Sequence, residues 1–195
     1  MIQSTSVQQQ QQPFRYYCVL DLEGKVEILE VPVLLIDATT LKVISTFHHY
    51  VRPTVMSEID INNYIRGKYG PWKNKDGVSL EIIWHQRAIL FAKVLEELEN
   101  WLFENHLRCA KNPSGEDFAF ITCGNWDIKT QIPKQCSISN LVMPEYFNRW
   151  INVKQVYNEY YKPKNEVTGM KGLLGRLRIP LEGTHHSGID DTNNI

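Results

Sequence analysis

Residues 16–23 read YYCVLDLE, and this stretch decides the fold. Its first five residues are aromatic, β-branched or apolar without alternation, which is typical of a strand buried on both faces of a sheet. Two carboxylates, Asp21 and Glu23, follow the apolar run. Because side chains at i and i+2 of a strand point the same way, we expect both carboxylates to leave one face together, with Leu22 on the other.

Further strand-like runs lie on both sides of a helical region. Residues 27–36 and 42–51 follow the first strand at short intervals, and short connections favour an antiparallel meander. Residues 118–123 (FAFITC) predict a fourth, buried strand, and residues 150–153 a fifth.

The strongest helical pattern covers residues 89–103, where apolar residues repeat at i, i+3, i+4 and i+7 with glutamates on the opposite face. Residues 66–77 (RGKYGPWKNKDG) are rich in Gly and Lys and predict a loop. Strands followed by helices predict an α/β domain built on a mixed five-stranded sheet flanked by helices. The other predicted helices are residues 57–64, 126–135, 153–161, 169–177 and one opening at Gly188.

Length and composition limit the class of protein. The 195 residues fit one domain plus a tail, and we expect the Gln-rich residues 1–13 to be disordered and residues 14–195 to be globular. With 21 basic and 22 acidic residues the net charge is −1, so any nucleic-acid binding must use a local patch or bound cations. Apolar runs such as residues 31–36 are far shorter than the roughly 18–20 residues of a membrane span, and the N-terminal segment does not resemble a secretory signal.

The cysteine pattern bears on the cell compartment. No C-x-x-C pair occurs, and two of the cysteines lie in apolar strand-like runs. Reduced, buried thiols in a cytosolic or nuclear protein are therefore expected, with a zinc site or a disulfide framework as the less favoured alternatives. The four cysteines are Cys18, Cys109, Cys123 and Cys136.

Carboxylates at the ends of predicted strands are the candidate chemistry. Asp21 and Glu23 repel each other unless a cation joins them, and Mg²⁺ prefers oxygen ligands of this kind. Asp127 follows the buried strand 118–123, and Asp191 follows His186 by five residues near the end of the chain. Taken singly, each acid has an ordinary alternative, such as a polar turn or a partner for a helix dipole.

In combination, these acids form a recognisable pattern. A D-x-E on the first strand, an Asp after a later strand and a terminal H-x-G-x-x-D resemble the DEDDh family of 3′–5′ exonucleases, in particular the enhanced-RNAi and Snipper-like RNA exonuclease branch. The resemblance implies a ribonuclease H-like fold. The segments that carry it are residues 16–23, 27–37, 47–53, 118–136, 146–157 and 183–195.

The resemblance also implies roles for individual residues. His186, rather than its neighbour His185, would be the general base, and Trp126 would stack on the 3′-terminal base unless it is an ordinary buried tryptophan. Lys129 and Gly24 are further candidates for substrate contact. The implied metal ligands are Asp21, Glu23, Asp127 and Asp191.

The implied reaction is hydrolysis of single-stranded RNA 3′ ends to nucleoside 5′-monophosphates with two Mg²⁺ ions, Mn²⁺ being the alternative metal. Two readings stay open beside it: a catalytically weakened RNA-binding module, and a DNA-directed exonuclease of the same family. A separate protein partner for targeting is also compatible with the sequence. Residues 154–178 carry six basic and two acidic side chains, either for RNA backbone contact or as a solvated face.

Overall fold

The computed structural model describes residues 13–195, so the predicted disordered tail, apart from Pro13, lies outside the described residues. Six strands and seven α-helices are found in this range, and a π-helical turn at Asp127–Gln131 leads into α4. The elements are β1 (Tyr16–Leu20), β2 (Glu30–Asp37), β3 (Lys42–Arg52), α1 (Glu58–Tyr69), α2 (Leu80–Arg87), β4 (Ile89–Leu90), α3 (Phe91–Glu104), β5 (Phe118–Thr122), α4 (Ile132–Ile138), β6 (Trp150–Asn152), α5 (Val153–Tyr161), α6 (Gly169–Leu177) and α7 (Gly188–Asn194).

The sheet is mixed, with strand order β4-β3-β2-β1-β5-β6. β1, β2 and β3 pair antiparallel, which confirms the predicted meander. β1 pairs parallel with β5, and β5 pairs parallel with β6. The α/β class is confirmed, but the predicted number of five strands was wrong. The sixth strand, Ile89–Leu90, makes a two-residue parallel pairing with Val51 and Arg52, which is too short to leave a periodic pattern in the sequence.

The centre of the sheet is the core. Cys18 and Leu20 of β1 are completely buried, as expected for a strand covered on both faces. α3 lies across the sheet with Val94, Leu98 and Leu102 buried, which is the predicted apolar stripe.

Two corrections concern the segment between β3 and α3. Ser57 caps α1 as predicted, since its hydroxyl accepts a hydrogen bond from the Asp60 amide at 3.1 Å. However, α1 continues to Tyr69 because Ile61, Ile65 and Tyr69 bury one face at i, i+4 and i+8. The first residues of the predicted loop therefore form the last turn of a helix.

α2 was not predicted at all. Trp84 is its only buried residue, so the helix lacks an apolar stripe that could be read from the sequence. The Trp84 indole donates a hydrogen bond to the Leu29 carbonyl at 3.1 Å and so ties α2 to the sheet.

The C-terminal helices agree closely with the predictions. α5 and α6 have the predicted bounds, and α7 begins at Gly188. All four cysteines have free thiols. Within residues 13–195, none of the helices combines the length and the apolar character that a bilayer crossing requires.

Candidate functional site

Asp21 and Glu23 lie at the edge of the sheet where the parallel strands β1 and β5 both end. Glu23 is fixed by two backbone hydrogen bonds, one from its amide to the Glu30 carbonyl and one from the Leu29 amide to its carbonyl. Gly24 makes the sharp turn that follows, with φ of +118°, and a Cβ there would lie 2.1 Å from the Glu27 carbonyl oxygen. Only glycine fits this turn, so the backbone alone explains the residue at position 24, and its contact with substrate stays a prediction.

Asp191 joins these two carboxylates from the other end of the chain. It lies in the first turn of α7 and is 4% exposed. One oxygen each of Asp21, Glu23 and Asp191 lies within 4.8 Å of the others, which is close enough to share a metal ion. α7 approaches β2 closely at Gly188, where a Cβ would lie 2.8 Å from the Glu30 carboxyl carbon.

Asp127 is adjacent to this group of three. Its carboxylate accepts a hydrogen bond from the Leu22 amide at 3.0 Å, so it lies beside the peptide that joins Asp21 to Leu22. It is 7% exposed, and its charge contributes to the raised pKa of Asp21. The structure therefore brings all four predicted carboxylates to one edge of the sheet, three of them in direct reach of a common ion.

The two histidines occupy different positions around Asp191. The His185 ring nitrogen Nδ1 lies 3.0 Å from one Asp191 oxygen, and the His186 backbone amide donates to the other at 2.8 Å. The His186 side chain is exposed, its φ is +71°, and its ring stacks on that of His185 at 3.8 Å. The predicted base thus lies at the rim of the site, while His185, which the sequence analysis set aside, faces the carboxylate.

Burial and mutual repulsion make the ionised form of the clustered carboxylates unfavourable unless a cation is present. Burial, followed by the charges of Asp127, Glu23 and Asp191, raises the pKa of Asp21 to about 8. Burial also raises the pKa of Glu23 to about 7, although Lys68 acts in the opposite direction. These carboxylates cannot all be ionised near neutral pH without a positive partner, and clustered oxygen donors of this kind fit a hard divalent cation.

Burial likewise raises the pKa of Asp127, against the opposing effect of its hydrogen bond from Leu22 and of the Lys154 charge. For His186, burial and then the neighbouring His185 lower the pKa, so the imidazole is neutral at pH 7 and can accept a proton.

Lys68 is a site residue that the sequence analysis missed. Its ammonium nitrogen lies 2.6 Å from Glu23 Oε2, and its side chain is only 9% exposed. The Gly- and Lys-rich composition of residues 66–77 predicts a loop, and this prediction is wrong for Lys68, which lies in the last turn of α1. The spacing of Ile61, Ile65 and Tyr69 was the one available signal that α1 continues and turns Lys68 toward the acids.

Glu30 forms a second buried acidic position behind Glu23. It is 1% exposed, accepts a hydrogen bond from the Tyr69 hydroxyl at 2.6 Å and pairs with His48 at 2.9 Å. Burial acts to raise the pKa of Glu30, but His48 and Tyr69 together lower it overall. Glu30 is thus held ionised by its own partners and links β2, β3 and α1 beneath the site.

The remaining predicted substrate residues lie on the open side. Trp126, next to Asp127, is 53% exposed, which is inconsistent with an ordinary buried tryptophan at a helix start. Lys129 is exposed on the same π-helical turn. Both side chains are accessible to solvent, and their contact with substrate stays a prediction.

Comparisons with known proteins bear on this arrangement. No family model matches the chain. An uncharacterised exonuclease domain-containing protein of Arabidopsis thaliana is 50% identical over 185 residues, which cover 94% of this chain and 52% of the relative. Human ERI1 exoribonuclease 3 is 32% identical over 195 residues, with coverage of 94% and 52% respectively. The chain spans about half the length of these curated relatives.

A solved structure is also similar to this chain. The nuclease domain of 3′hExo, a DEDDh family member bound to rAMP, matches with a TM-score of 0.72 and 28% sequence identity. The match covers 93% of this chain and 88% of that structure.

Proposed function

Because the chain belongs to the DEDDh family of exonucleases, we propose that it is a metal-dependent 3′–5′ exoribonuclease that releases nucleoside 5′-monophosphates from single-stranded 3′ ends. The observation that carries the proposal is that ligand oxygens of Asp21, Glu23 and Asp191 lie within 4.8 Å of one another. Asp127 lies beside them and accepts a hydrogen bond from the Leu22 amide. These acids come from distant parts of the sequence, and their mutual repulsion destabilises the fold unless a cation binds between them.

We propose that the four carboxylates hold a pair of divalent ions and that these ions are Mg²⁺. Asp21, Glu23 and Asp191 would hold one ion, and Asp127 would complete the set beside Asp21. When bound, divalent ions supply activation of water and stabilisation of the leaving 3′ oxygen. They would also offset the charge that raises the pKa values of Asp21 and Glu23.

The protein's own groups do the positioning and the proton transfer. His186, neutral and at the rim, accepts the proton of the attacking water. His185 orients Asp191 through its ring nitrogen, and the Leu22 amide orients Asp127. Trp126 offers an exposed aromatic face beside Asp127 on which the terminal base stacks.

The test is digestion of matched RNA and DNA oligomers labelled at one end, with Mg²⁺, Mn²⁺ or a chelator. We expect stepwise shortening from the 3′ end of RNA, loss of activity with the chelator, and slower digestion when the 3′ end carries a phosphate. Asp21→Asn should abolish turnover without unfolding the protein, while Glu104→Gln at the exposed end of α3 serves as the matched control. Internal cutting, or RNA binding without metal-dependent turnover, would contradict the proposal. Faster digestion of DNA than of RNA would reassign the substrate.

A further inference from the structure

α5 carries a group of exposed aromatic residues that the carboxylate site does not explain. Tyr160 and Tyr161 are 78% and 56% exposed, and Tyr157 is half-buried beside them. The rings of Tyr157 and Tyr161 lie 4.6 Å apart, and those of Tyr160 and Tyr161 lie 4.8 Å apart. None of the residues of α5 is fully buried, so the helix does not form part of the core.

This helix begins at the candidate site. α5 follows β6 directly, and β6 lies parallel to β5, whose end leads to Asp127. Lys154 Nζ lies 3.2 Å from the position that a Cβ on Gly124 would take, and its charge acts on Asp127. Lys154, in the first turn of α5, therefore lies close to Asp127.

The spacing continues from Lys154 along the helix. Lys154, Tyr157 and Tyr161 are three and four residues apart, so they share one face and extend roughly 10 Å from the site. Lys162 and Lys164, both exposed, follow at the far end. A row of aromatic rings between basic side chains is the arrangement that single-stranded nucleic acid requires, with bases on the rings and phosphates on the cations.

We propose that Lys154, Tyr157 and Tyr161 form a binding platform for the RNA strand immediately upstream of the 3′ nucleotide that is cleaved. The proposal rests on the exonuclease function proposed above and specifies the path of its substrate. Charge complementarity favours RNA over a protein occupant, because the surrounding residues 154–178 carry six basic and two acidic side chains. Stacking does not depend on base identity, so the platform grips the strand without sequence preference.

The experiment compares RNA lengths. Oligomers of three and twelve nucleotides are digested by the wild type, by the double variant Tyr157→Ala/Tyr161→Ala and by the double variant Tyr157→Phe/Tyr161→Phe. Stacking of each base contributes about 1–3 kcal/mol, so the alanine variant should raise KM for the longer RNA by roughly tenfold or more. Its kcat should not change, because the platform lies away from the bond that is cleaved. The increase in KM should be smaller for the trinucleotide, which leaves only two nucleotides upstream of the cleaved one. The phenylalanine variant keeps the stacking faces and should behave as wild type.

A binding measurement separates this proposal from the nuclease function. Fluorescence anisotropy with the twelve-nucleotide RNA in chelator reports affinity when no turnover occurs, and Phe103→Ala, an exposed aromatic on α3, is the matched control. If the wild type binds the RNA but digests no RNA of either length, the proposed function fails while the platform stands. Equal affinity of the wild type and the alanine variant for the longer RNA would overturn the platform and leave a protein occupant for this surface.

Discussion

Lys68 offers the sharpest test of how the carboxylate cluster is held without metal. Lys68→Met keeps most of the side-chain volume and removes the ammonium that lies 2.6 Å from Glu23. We expect the variant to be less stable than the wild type in metal-free buffer at pH 8.5 and closer to it in stability at pH 6, where Lys68 still faces the ionised Glu30 but no longer an ionised Glu23. The physical reason is that Glu23, with a pKa of about 7, is protonated at pH 6 and has no charge for Lys68 to neutralise.

The magnitude follows from the geometry. Two unit charges 2.6 Å apart attract with about 6 kcal/mol at an effective dielectric constant of about 20. The desolvation of both groups, which are 9% and 14% exposed, offsets most of this attraction. A net loss of about 2 kcal/mol at pH 8.5 remains, which corresponds to roughly 4–8 °C in Tm for a domain of this size.

The assay is thermal unfolding of both proteins at pH 6 and pH 8.5, each with chelator and with saturating Mg²⁺. Mg²⁺ should remove most of the difference at pH 8.5, because the ion supplies the charge that Lys68 provided. Arg66, on the same helix as Lys68, is 73% exposed and pairs with Glu81 of α2. Arg66→Met is therefore the matched control and should change Tm little at either pH. An equal loss for Lys68→Met at both pH values would refute the reasoning, since it would show a packing effect rather than a charge effect.

Further predictions concern the acids and the histidines. The pKa values of Asp21 and Glu23 are raised to about 8 and about 7, so the folded protein binds more protons than the unfolded chain between about pH 4 and 8. The free energy of unfolding without metal should therefore fall as the pH rises through this window and level off above it, which denaturant titration at a series of pH values measures. Glu30→Ala leaves the buried Tyr69 hydroxyl and the partly exposed His48 ring unpaired and should cost about 3 kcal/mol in the free energy of unfolding, and a cost below about 1 kcal/mol would contradict the buried network. His186→Ala should lower kcat by roughly 10²–10⁴, and a wild-type rate for it combined with a slow His185→Ala would assign the base to His185.

The sequence alone predicted where the acidic residues lie on the strands and helices. The apolar run of residues 16–20 predicted a buried strand with the D-x-E at its end, and the structure has β1 there with its last three residues buried. Likewise, the break before Gly188 placed Asp191 in the first turn of a terminal helix, where the structure has it. These predictions succeeded because each depends on backbone periodicity and on the direction of neighbouring side chains.

Tertiary structure alone decided what surrounds the acids. Lys68 and Glu30 reach the site through long-range packing of α1 and α7 on β2, which no local pattern records. His185, not His186, lies with its ring nitrogen 3.0 Å from Asp191, and the backbone at His186 is left-handed, which the H-x-G-x-x-D spacing did not predict. Periodicity in a sequence states which face of an element is buried, whereas the partners of a buried charge depend on how the elements pack.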